Sequence, residues 1–126
     1  MTEVTRERAR RLAAIALDHN AERVVALAVG ELTSFADAFV IATAGSDRQA
    51  RAVADAVVES SKQAGEAMLG IEGYEEGRWI LVDGGDVVVH VFVRDAREHY
   101  DLDRLWEDAP RIALPEPIAT PRGARA

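Results

Sequence analysis

Two adjacent glycines, Gly84 and Gly85, constrain this chain more than any other feature, because they are all that separates two strand-like runs. Residues 78–83 and 86–93 are dominated by β-branched and aromatic side chains, the composition of paired strands. Glycine tolerates the positive φ angles that a tight antiparallel hairpin requires, so the spacing predicts a hairpin with Gly84 and Gly85 as its loop. Antiparallel partners keep a constant index sum, which sets Asp83 opposite Asp86, Leu81 opposite Val88 and Trp79 opposite His90. Alternation then sorts the side chains into two faces. Ile80, Val82, Val87, Val89, Val91 and Val93 form an aliphatic core face, leaving Trp79, Leu81, Asp83, Asp86, Val88, His90 and Phe92 on the other.

The outer face of an antiparallel sheet is ordinarily polar, whereas this one mixes aromatic, aliphatic and acidic groups. Two outcomes are open at this point. The face is an exposed binding surface, or a terminal helix carrying Tyr100, Leu105 and Trp106 folds over it. Two facing aspartates beside the loop favour a cationic partner, since like charges opposite each other destabilise a strand pair.

The rest of the chain supplies three further strands and the helices to cover a sheet. Thr2 or Thr5 caps an opening helix that includes Val4, Leu12, Ile15 and Ala16 and ends near Asn20. Val24 to Val29 reads as a first strand and residues 37–44 as a second, each stopped by a glycine. Ser46 and Gln49 have the spacing of a capping box, and the helix they open stops at Gly65. Residues 68–73 form a weaker third strand, and 95–108 return to helical composition before Pro110. The sum is one α/β domain over residues 1–109, a mixed sheet of five strands with helices packed on it in two layers. Residues 110–126 hold all four prolines without apolar periodicity, which predicts a disordered tail.

Charge narrows the partners. The net charge is −7, with acids concentrated between Glu59 and Asp108, so the body of the domain does not suit a phosphate backbone. Arg6, Arg8, Arg10 and Arg11 gather on the first helix and read as a solvated face rather than an RNA contact. With no cysteine there is no disulfide framework or thiolate metal site, and the charged N-terminus lacks the apolar run of a signal peptide or membrane span. A cytoplasmic location is the expectation.

Catalytic chemistry finds little support in the residues. Gly45-Ser46 precedes a helix N-terminus where a phosphate could sit, the basis for an alternative assignment as a nucleotidyltransferase. Nucleotidyl transfer needs clustered carboxylates for Mg²⁺ soon after that turn. Asp55 and Glu59 instead fall within the helix, and Asp101-Leu102-Asp103 lies far downstream. His19, His90 and His99 lack the spacing of a metal site. The expectation is a non-enzymatic protein with no cofactor and no metal.

Several blocks taken in order resemble the Iojap family of ribosomal silencing factors. They are residues 36–41, Gly45-Ser46-Asp47-Arg48-Gln49, Glu72-Gly73, the run from Trp79 to His90, and Tyr100-Asp101-Leu102-Asp103-Arg104-Leu105-Trp106. The resemblance covers Val4 to Asp108. It implies a nucleotidyltransferase-like topology without the catalytic carboxylates. It also implies binding to the large ribosomal subunit through the ribosomal protein numbered fourteen, at the intersubunit face, which blocks small-subunit joining and represses translation. Carried onto this chain, the family's partner surface corresponds to Trp79, Leu81, Asp83, Asp86, Val88 and His90, with Phe92, Tyr100, Leu105 and Trp106 beside it. Pairing of the same face with a second copy is the remaining alternative, weakened by the repulsion its acids would bring.

Overall fold

The most apolar run of the chain, Val87–Val93, becomes strand β5 and occupies the position that needs cover on both faces. The computed structural model describes residues 1–114. β5 pairs in parallel with β2 (Ala38–Ala44), whose seven residues are all buried. Continuous burial on both faces is what a parallel pair demands, and the unbroken apolar spelling of both strands meets it.

The remaining elements follow in chain order: α1 (Glu3–Asp18), β1 (Glu22–Ala28), α2 (Asp47–Gln63), β3 (Gly70–Glu72), β4 (Trp79–Asp83), α3 (Arg94–Tyr100) and α4 (Leu102–Leu105). The strands form one five-stranded sheet in the order β1-β2-β5-β4-β3, with every pair antiparallel except β2 and β5. The mixed α/β sheet predicted from the sequence is therefore present. A parallel pair requires a long crossover, and α2 lies on it.

α1 and α2 cover one face. Leu12, Ala13 and Ala16 of α1 and Val53, Ala54 and Val57 of α2 pack with Val40, Ile80, Val82, Val89 and Val91. Thr2 begins α1 by accepting a hydrogen bond from the Thr5 amide at 3.1 Å, while Val4, expected on the apolar side, stands 79% exposed.

The opposite face holds a second core under the terminal helices, the cover that the sequence leaves as one of two outcomes. Phe39, Ile41, Val88 and Phe92 lie there beneath Ala96 of α3, Leu102 of α4 and Ala109. Helices thus flank the sheet on both sides.

The segment after Pro110 also departs from expectation. β1 is an edge strand with free backbone groups, and the chain closes that edge itself: Ala28 N–H donates to the Pro110 carbonyl and Ile112 N–H to the Ala26 carbonyl, both at 2.8 Å. Arg111 bridges Leu27, and Ile112 is only 3% exposed. A boundary after residue 109 is too early by this stretch, because Pro110 needs no N–H to contribute a carbonyl. The rest of the predicted tail, 115–126, lies outside the described residues.

Candidate functional site: a half-covered sheet face

The hairpin loop sits one residue later than the glycine pair suggests. Gly84 N–H donates to the Val87 carbonyl at 3.0 Å, which leaves Gly85 and Asp86 as the two loop residues. Gly85 has φ +86°, as a primed hairpin loop with glycine in its first central position requires. Gly84 serves a different need, because a Cβ there would meet Arg8 Nη2 at 2.7 Å. The true register pairs Trp79 with Phe92, Leu81 with His90 and Asp83 with Val88. This differs by two residues from the predicted pairing. An even shift leaves each strand residue on its original face, so the sorting of Trp79, Leu81, Asp83, Val88, His90 and Phe92 together survives.

Asp86 does not belong with them. Its carboxylate accepts from Thr5 Oγ1 at 2.9 Å and pairs with the Arg8 guanidinium, both on α1. Asp83 accepts instead from the Gly85 amide at 2.9 Å. The expected confrontation of two aspartates is absent, each having found its own donor. Arg8 is correspondingly buried and so leaves the solvated face expected of the group, whereas Arg6, Arg10 and Arg11 stay partly exposed and pair with Glu3, Glu7 and Glu66.

Across the shared face the register aligns side chains in rows. One row runs Glu72, Leu81, His90, Ile41 and Val25; the next runs Gly70, Asp83, Val88, Phe39 and Leu27. α3 and α4 cover the central half of these rows. Val88, His90 and Phe92 are buried there, which removes three expected contact residues from the surface. The β4–β3 half stays open: Trp79, Leu81 and Asp83 are half-buried and Glu72 is exposed. Tyr100, 50% exposed, borders it with its ring 4.7 Å from Trp79; on α4 Leu105 is 72% exposed and the half-buried Trp106 meets the Phe39 ring edge-on at 5.2 Å. Cover by the terminal helices is realised on the central half of the face, and the β4–β3 half is left open.

Two buried polar residues set this arrangement. Trp79 Nε1–H donates to His90 Nδ1 at 3.1 Å, and the indole stacks on Phe92 at 4.9 Å and lies 4.7 Å from Tyr100. Burial pushes the His90 imidazole down to about 4, so it is neutral. Arg97, 2% exposed, holds both carboxylate oxygens of Asp103 at 2.9 and 2.7 Å and donates to Thr43 Oγ1 at 2.8 Å and to the Arg23 carbonyl. One guanidinium thereby ties α3 and α4 to β1 and β2. Its hydrogen bonds hold the Asp103 carboxyl below the usual carboxylate range.

Glu72 and Phe35 are exposed residues outside the contact set expected from the sequence. Phe35 is 82% exposed in the β1–β2 loop, next to Ala36, which packs in the second core. Its signal was an aromatic among the polar turn residues Thr33, Ser34 and Asp37.

The phosphate-binding alternative meets an occupied helix end. The Gln49 amide donates to Ser46 Oγ at 3.0 Å, the Gly45 amide to Gln49 Oε1 at 2.7 Å, and the Arg48 amide to Asp47 Oδ1 at 2.9 Å. Gln49 thus caps the Gly45 amide rather than that of Ser46, a variation on the predicted box. Asp55 receives the Tyr74 hydroxyl and Asp103 the Arg97 guanidinium. Among the described residues no group of three His, Asp or Glu side chains could hold a metal ion, and no helix is long and apolar enough to cross a membrane.

Comparison with known proteins places this geometry. Residues 2–126 match the family model described as "Ribosomal silencing factor during starvation". The chain is 43% identical over 97 residues to the ribosomal silencing factor RsfS of Halalkalibacterium halodurans, covering 77% of this chain and 83% of that one. It is likewise 43% identical over 97 residues to the Bacillus subtilis protein of the same name, covering 77% and 82%. A crystal structure of a Chromobacterium violaceum protein superposes with a TM-score of 0.77 at 35% identity, covering 92% of this chain and 97% of that one.

Proposed function

The chain belongs to the family of ribosomal silencing factors, and from that premise we propose that it docks on the large ribosomal subunit and keeps the small subunit from joining. The contact is with the ribosomal protein numbered fourteen at the intersubunit face. The action is steric and takes place in the cytoplasm, without catalysis, cofactor or nucleic-acid recognition.

One observation carries the docking surface: the open β4–β3 half of an otherwise roofed sheet face, where Trp79, Leu81 and Asp83 share a row of half-buried positions and Trp79 meets Tyr100; exposed Leu105 of α4 joins the surface through the family resemblance. An aromatic anchor within an apolar rim supplies affinity, and acids set orientation and encounter rate towards a basic partner. His90 and Phe92 act from beneath by holding Trp79 in place, and Val88 packs under the roof opposite Asp83. Asp86 acts through the loop and Trp106 as packing under the roof. The occupied amides of α2 support a non-enzymatic role, since a phosphate would have to displace three intramolecular acceptors.

Co-sedimentation with isolated large subunits tests this function. The wild-type chain pellets with the subunits, and Leu105→Asp, a change at a 72% exposed position, reduces the bound fraction without unfolding the chain. Absence of the wild-type chain from the pellet at saturating concentration would remove the function.

A further inference from the structure

We propose that the outer edge of β3 receives an extended, cationic segment of the docking partner as a sixth strand of the sheet. The proposal rests on the docking function above and adds a second mode of contact to it.

The two edges of the sheet are treated differently. β1 is closed by the chain's own residues 110–112, whereas β3, terminal in the strand order, has no further strand or bridge against it among the described residues. Exposed edges are usually blunted by short strand length, charged side chains (lysine above all), proline or a covering segment, because free N–H and C=O groups recruit other strands. Of these devices β3 has its short length and Glu72. Residues 66–77, which contain β3 and its flanks, include no lysine, arginine or proline. All three β3 residues are exposed, and the apolar side chains along the edge, Leu69 and Ile71, stand 69% and 42% open. Gly70 has nothing within 4 Å of where a Cβ would be, so its backbone is approachable from the face as well.

Charge identifies the occupant. Glu72 at the end of β3 and Glu75 and Glu76 in the turn that follows it are exposed and make no ion pair among the described residues. The nearby Arg51 is already engaged by Asp47 and by the backbone carbonyl of Glu75. An acidic, uncompensated edge repels a second copy of itself and nucleic acid alike, and attracts a strand bearing lysine or arginine. Position ties the edge to the docking face, because Glu72 pairs with Leu81 and Gly70 with Asp83. A strand added to β3 therefore lies one strand away from the Trp79–Leu81–Asp83 strip. Main-chain hydrogen bonds would supply affinity and the glutamates selectivity, the division of labour seen in strand addition generally. With only three residues in β3, the added strand is short and depends on those side chains.

Hydrogen–deuterium exchange of the full chain, alone and with purified large subunits, tests the proposal together with the triple variant E72K/E75K/E76K. Exchange across residues 69–72 should slow about tenfold or more on adding subunits, and the triple variant, altered only at exposed positions, should bind about tenfold more weakly. Subunit binding that Leu105→Asp weakens, but that leaves exchange at 69–72 unchanged, would overturn the added strand and leave the docking function standing. No binding by the wild-type chain would overturn both. Protection at 69–72 that rises with chain concentration in the absence of subunits would mean the edge pairs with its own copy, and the proposal would be lost.

Discussion

The indole nitrogen of Trp79 and the imidazole Nδ1 of His90 share a hydrogen bond of 3.1 Å in which tryptophan is the donor. An indole N–H can only donate, so Nδ1 must accept and the proton of the neutral ring sits on Nε2, which is buried without a partner. A proton on Nδ1 would abolish the acceptor and place a charge in the core. The position of the half-buried Trp79 indole is thus coupled to the protonation state of a residue beneath it.

A pH dependence of stability follows from that coupling. Folded His90 has its pKa depressed to about 4 from an ordinary 6.5, so the unfolded chain binds this proton more readily. Stability is therefore fully present above about pH 6.5 and is lost as pH falls towards 4, by about 3 kcal/mol in total. Burial raises the Glu66 carboxyl, but its contacts with Arg11 and Arg8 more than offset this and hold it below the usual range, as Arg97 does for Asp103. Both contribute at lower pH. Urea midpoints of wild type and His90→Gln measured between pH 7 and pH 4.5 should show a steep fall only in the wild type; parallel curves would contradict the assignment.

Much of this surface was legible in the sequence, for reasons that can be traced to particular residues. Alternation along Trp79–Asp83 and Val87–Val93 sorted the two faces correctly because an error of two in register preserves side-chain direction. The loop position itself was not legible. Gly84 looks like a loop glycine, but its lack of a side chain makes room for Arg8, a residue 76 positions away in the chain. The roof was half legible: apolar residues in 100–106 announced a covering helix, but how far it reaches depends on Arg97, whose spelling among charged neighbours resembles any solvated cation. The ordered stretch 110–114 was hidden by proline, which argues against strand pairing unless only its carbonyl is used.

Arg97 carries the attachment of that roof. Replacing it with Met leaves the Asp103 carboxylate, the Thr43 hydroxyl and the Arg23 carbonyl without their donor. Arg97 is buried but Asp103 is partly exposed, so the loss falls below that of a fully buried pair, at about 2 kcal/mol. Arg97→Met should lower chemical stability by that order and speed amide exchange in 94–105 more than in α2. Uniform acceleration across both would show that the guanidinium does not act as a local tie.

Two glycines with similar positive φ angles should respond differently to alanine. At Gly73, φ +77°, a Cβ would lie 2.1 Å from the Trp79 carbonyl oxygen, a clash with backbone that cannot be relieved by a rotamer change. At Gly85, φ +86°, the nearest atom is Leu69 Cδ1 at 3.8 Å, so only the left-handed backbone cost of about 1 kcal/mol applies. Thermal melts should show Gly73→Ala far more destabilised than Gly85→Ala. Equal melting temperatures would mean the Gly73 turn relaxes freely.

The docking strip makes a ranked prediction. Trp79→Ala should weaken large-subunit binding by about 2 kcal/mol or more, whereas Asp83→Ala should act mainly on the association rate and its salt dependence. Because Trp79 also packs on Phe92, Leu105→Asp serves as the control that alters the surface without touching the core. Binding curves for Trp79→Ala and Leu105→Asp that superpose on the wild type would exclude the strip as the contact.

The most direct measurement is subunit rejoining. Purified small and large subunits are mixed under associating conditions with increasing amounts of the chain, and the yield of full ribosome is read on a density gradient. If the chain docks at the intersubunit face as proposed, it should reduce that yield in proportion to occupancy, with Leu105→Asp requiring more protein for the same effect. A full yield at saturating wild-type chain would contradict the account.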